Sequence, residues 1–131
     1  MKQIKLLMAL FAVSCVMSSL NVKATNQNLK NISIPGLYGK YQTGYYTKSE
    51  DSPQYAKKDS AKDTLSGDER AIMAKVTTGS TKAVEIPKGK KVELDKGTGL
   101  VELKGNVFQL ELTHKSPYVT GSTFNGTWYL N

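Results

Sequence analysis

A chain of 131 residues has room for one domain, and 18 Lys and Arg against 11 Asp and Glu leave it at +7. Its one cysteine, Cys15, falls in an apolar leader, so thiolate chemistry and thiolate metal sites are excluded from residues 25–131. A modest, lysine-borne excess of charge points to weak, salt-sensitive contact with polyanions.

Residues 1–24 read as a cleavable secretory signal. Lys2 and Lys5 precede an apolar run from Leu6 to Leu20, and Val22-Lys23-Ala24 puts small residues at the −3 and −1 positions. The run is too short to span a bilayer, so the mature chain is expected to hold no transmembrane segment. Cleavage after Ala24 removes three lysines and takes the net charge from +7 to +4. Ala12-Val13-Ser14-Cys15 resembles a lipobox, which makes Cys15 a lipidation candidate and a lipoprotein the minority reading of localisation. Export without disulfides fits a bacterial protein, secreted or wall-associated.

Residues 25–47 form a tyrosine-rich region with one or two strands between Ser33 and Thr47. Residues 48–69 are polar, with only Tyr55 and Leu65 as apolar anchors, and read as a mobile loop or linker. Residues 70–131 are expected to make the main β domain, packed with 33–47. Ser66-Gly67-Asp68-Glu69 fits a capping box before a short helix, but its continuation into Val76-Thr77-Thr78 favours a strand. Val84 and Ile86, then Val92 and Leu94, alternate with polar residues around an Ile86-Pro87-Lys88-Gly89 turn.

Two hairpins are predicted next. Gly105-Asn106 would join Leu100–Lys104 to Val107–Thr113, with Leu103 facing Phe108 and Val101 facing Leu110. Asn125-Gly126 would join Tyr118–Phe124 to Thr127–Leu130. Short strands with Gly-rich turns indicate an all-β fold, a small antiparallel barrel or sandwich with room for one short helix.

The stretch Ile86-Pro87-Lys88-Gly89-Lys90-Lys91-Val92-Glu93-Leu94 resembles the turn-and-strand of bacterial SH3-like cell-wall modules. Ile34–Gly39 and Gly126-Thr127-Trp128-Tyr129-Leu130 are similar to segments of small secreted lipocalin-like proteins of lactic acid bacteria. Each resemblance implies a small β-barrel, and neither carries functional residues over.

Catalytic equipment is sparse. A Ser-His-Asp triad would need His114, which reads as a surface residue, and no Gly-x-Ser-x-Gly elbow accompanies it. No catalytic residue, metal site or cofactor is expected, and the chain is read as a non-enzyme. The candidate binding residues are Tyr38, Tyr41, Tyr45 and Tyr46, whose rings can stack on sugars, with the cationic turn of Lys88, Lys90 and Lys91. They point to an anionic cell-wall polymer or glycan as partner, and not to nucleic acid. The competing expectation is a lipocalin-like or inhibitor-like protein that binds a small ligand or a partner protein.

Overall fold

The computed structural model describes residues 26–77 and 81–131. The signal at 1–24 and the lipidation candidate Cys15 lie outside the described residues. The described chain is all-β. Its strands are β1 (Gln27–Ile34), β2 (Lys40–Gln42), β3 (Tyr46–Thr47), β4 (Tyr55–Asp63), β5 (Ile72–Val76) and β6 (Val84–Glu85). After them come β7 (Lys91–Glu93), a 3-10 turn (Leu100–Glu102), β8 (Val107–Phe108), β9 (Leu110–His114) and β10 (Ser122–Tyr129).

Two four-stranded antiparallel sheets, ordered β2-β9-β5-β6 and β1-β10-β4-β7, enclose one core, and β3 pairs with β8 beside them. No sheet closes on itself, so of the two expected architectures the sandwich is the one formed. Alternation drives it. Ile72, Ala74 and Val76 of β5 and Leu110 and Leu112 of β9 point inward, with Met73, Lys75, Glu111 and Thr113 between them. The strand reading ahead of Thr77 holds over Ile72–Val76.

β10 carries the longest alternation: Ser122, Phe124, Gly126, Trp128 and Leu130 are buried in turn. The expected hairpin at Asn125-Gly126 is therefore corrected: the pair sits inside one continuous strand, at a β-bulge. Breaking the chain there would have turned Phe124 and Trp128 away from a common core. Asn31 of β1, at φ 52, is one of two residues that bulge opposite Asn125, and its backbone N–H donates to Asn125 Oδ1 at 2.9 Å.

Residues 48–69 are the largest correction. They contain β4, nine residues long and internal to its sheet between β10 and β7. Its inward residues are Ala56, Lys58, Ala61 and Asp63, which is why the composition resembles a linker. Ala56 is the register partner of Trp128 and Ala61 that of Phe124, so small side chains leave room for the rings. Lys58 Nζ reaches Glu69 Oε2 at 3.0 Å and the Arg70 carbonyl at 2.6 Å. Asp63 lies 3.4 Å from Arg70 Nη2. Amide exchange across 55–63 is accordingly expected to be slow and to follow global unfolding, read by exchange mass spectrometry at native pH. Fast exchange there would make this segment the loop its composition resembles.

The Gly105-Asn106 hairpin is also corrected. Leu100–Glu102 form the 3-10 turn, Leu103 is exposed, and β8 pairs with Tyr46–Thr47 instead. Val101, Phe108 and Leu110 are buried as expected, but they reach the core from a turn and two separate strands. Lys48 closes this corner: its buried ammonium donates to the Leu130 carbonyl and to Ser52 Oγ. Burial lowers its pKa, against the opposing pull of Glu50, Asp51 and Glu102.

Candidate functional site

The outward residues of β4, β7 and β10 meet on the solvent face of the second sheet. Tyr55 is the register partner of both Tyr129 and Glu93, and Lys57 that of Thr127 and Lys91. The Lys91 ammonium lies over two rings at once, 4.2 Å from the Tyr129 centroid and 4.8 Å from that of Tyr55. Like charges directly across a strand pair destabilise a sheet. Lys57 and Lys91 occupy such a position. Among the described residues the acid paired with this couple is Asp59, 3.7 Å from Lys57 and largely exposed. Glu93 is turned to Lys96 at 3.8 Å.

The Pro87–Lys90 turn extends this cationic edge. Lys58 and Lys88 form an isolated bridge, and Gly89 N donates to the Lys58 carbonyl at 2.7 Å, which pins the turn along β4. A glycine serves there because φ is +76°. Lys88, Lys90 and Lys91 are exposed, with Lys91 opposite Lys57 and Lys88 opposite Lys58. No family model matches this chain, and no curated protein or solved structure matches it either.

The four candidate tyrosines do not assemble there. Tyr46 stands edge-to-face on Trp128 with centroids 5.8 Å apart, so it is part of the packing. Tyr41, in β2, pairs with Leu112 and rests half-buried against the core. Tyr45 and Tyr38 are exposed, and Tyr38 belongs to the opposite end of the sandwich. There Leu37 N donates to the Tyr118 carbonyl and Thr64 N to the Gly121 carbonyl, tying three loops together. That end shows four exposed apolar side chains: Leu37, Tyr38, Leu65 and Val119. Leu37 and Tyr38 hold left-handed φ values of 54° and 65°, a strained pair for residues with a Cβ.

Tyr55, Lys57 and Tyr129 were missed by sequence reasoning. Tyr129 was within reach, because a strand that buries Trp128 must turn its neighbour outward. Tyr55 and Lys57 were hidden in the stretch read as linker. His114 is corrected as well: it is buried, and its Nε2 lies 2.7 Å from Ser122 Oγ. That pair resembles half a triad, but Ser122 is 0% exposed, sealed from any substrate.

Proposed function

We propose that this is an exported, non-enzymatic bacterial protein that binds an anionic wall polymer or glycan on the Lys57–Lys91 face. The observation that carries the reading is the cross-strand lysine pair seated on two tyrosine rings, with Lys88 and Lys90 beside it. A polyanion lying along this edge relieves the repulsion between the two ammonium groups. The rings below them, with Thr127 alongside, offer stacking and hydrogen bonding to sugar or polyol units. The leader-like N-terminus together with this charge supports a secreted or wall-associated location.

Sedimentation with purified teichoic-acid-bearing walls tests it. Each exposed cation is worth about 0.2–1 kcal/mol, so Lys57→Gln with Lys91→Gln should weaken binding about 2- to 30-fold at low salt. The difference should shrink toward 1 M salt, where the screening length falls to about 3 Å. Wild-type protein that stays in the supernatant at low salt would overturn the reading. Binding of a partner protein is the second reading, favoured by the exposed Leu37, Tyr38, Leu65 and Val119 at the other end. Under it, Tyr38→Ser abolishes capture of the partner and the lysine substitutions leave it unchanged.

A further inference from the structure

The end of the sandwich farthest from Tyr55 and Tyr129 contains a buried chain of polar contacts that the binding face does not use. His114, the last residue of β9, points into the core, and its Nδ1 is buried with no hydrogen-bond partner among the described residues. Its ring stands edge-to-face with Tyr118, centroids 5.2 Å apart at 87°. The Arg70 guanidinium lies 4.3 Å from the centroid of the same tyrosine. Arg70 pairs with Asp63, whose carboxylate also accepts from Thr120 Oγ1, Ser66 Oγ and the backbone N–H groups of Leu65 and Ser66. Tyr118 and Thr120 both belong to the loop of residues 115–121. That loop is held from below by His114 and Arg70, and from the side by Asp63. The Tyr118 carbonyl in turn holds Leu37 N at 2.7 Å.

We propose that His114, Tyr118 and Arg70 form a proton-sensitive latch, closed while the imidazole is neutral, that releases the 115–121 loop and the 36–39 turn when His114 is protonated. The imidazole already commits Nε2 to Ser122. Whichever nitrogen holds the first proton, the protonated ring carries an N–H on both, so Nδ1 presents a buried donor with no acceptor, and the new charge adds to that of Arg70 against the same tyrosine. Moving Tyr118 out relieves both faults. It also breaks the hydrogen bond that holds the strained Leu37–Tyr38 pair, so the two segments go together.

The charged and titratable groups around the ring come from several elements. Asp63 and Arg70 stand at the β4–β5 connection, Tyr118 and Lys115 in the loop, and Glu85 of β6 pairs with Lys115 at 2.8 Å. Burial and then the Arg70 charge lower the His114 pKa from 6.5, and the Asp63 charge opposes them. Because the unfolded chain takes up the proton first, stability is lost as pH falls from about 6.5 toward the lower folded value. Asp63 acts in a separate window. Its hydrogen bonds, that from Thr120 foremost, hold its pKa far below 3.8, so its contribution is lost only on further acidification.

His114 is the only histidine in the chain, so its ring protons can be followed directly by NMR titration. The expected midpoint lies below 6.5, and the backbone amides of 36–39 and 115–121 should shift with that same midpoint. The thermal midpoint should fall over the same range, and His114→Gln should flatten that part of the profile. A midpoint at or above 6.5, or loop amides indifferent to the titration, overturns the proposal. Should His114→Gln not fold, Arg70→Gln is read instead. It should raise the His114 midpoint, and an unmoved midpoint overturns the latch.

Discussion

Trp128→Ala is expected to lower the free energy of unfolding by about 3–5 kcal/mol, as truncation of a buried aromatic does. Domains of this size hold about 5–15 kcal/mol in all, so the variant should melt far earlier or fail to fold at room temperature. Three contacts are lost together. The ring is fully buried, Tyr46 packs on it edge-to-face, and its Nε1 donates to Gln54 Oε1 at 2.9 Å. Collapse cannot fill the space, because the residue opposite in β4 is already Ala56. Urea unfolding followed by far-ultraviolet circular dichroism measures the loss. Trp128→Phe separates the parts: it keeps most of the ring and strands the Gln54 acceptor, which should cost about 1–3 kcal/mol. Equal losses for the two variants would mean that the hydrogen bond, and not the packing, dominates.

Gly126→Ala should cost about 1–3 kcal/mol or more, through overpacking at the bulge. A Cβ there would collide with the Lys57 carbonyl oxygen and sit 2.8 Å from the Phe124 ring. The ring can turn aside. The carbonyl cannot, because it belongs to the β4 backbone beside β10, and moving it opens the ladder that joins the two strands. The same movement shifts Lys57 against Lys91. Gly126→Ala should therefore weaken polymer binding as well as lower the urea midpoint, although it removes no charge. A variant as stable as the wild type would mean that the bulge has slack to take up a methyl group.

How much was legible depended on whether inward positions were apolar. At Ile72–Val76 and Leu110–Leu112 the inward residues are aliphatic, and alternation alone marks them as strands. β4 defeats that signal, since two of its four inward side chains are Lys58 and Asp63. They are tolerable inside only because Glu69, Arg70 and Thr120 arrive from other parts of the chain to pair with them. Asn125-Gly126 misled for the opposite reason. A strong local turn signal stood inside a longer alternation, and consistent burial from Ser122 to Leu130 outweighs a two-residue preference.

The proposed binding face divides along the same line. Lys88, Lys90 and Lys91 could be singled out as a cationic turn, because three lysines within four residues are visible in one dimension. The pairing of Lys91 with Lys57, and its seat on Tyr55 and Tyr129, needed the β4–β7 and β4–β10 registers, which join residues more than thirty positions apart. The all-β class and the strands at 72–76 and 110–114 were thus determined by the sequence alone, because period-two burial is a local property. Which charged side chains go inside, and which cations share a face, was decided only by tertiary structure. Desolvating Lys58 or Asp63 is tolerated only where partners from other segments are already in place.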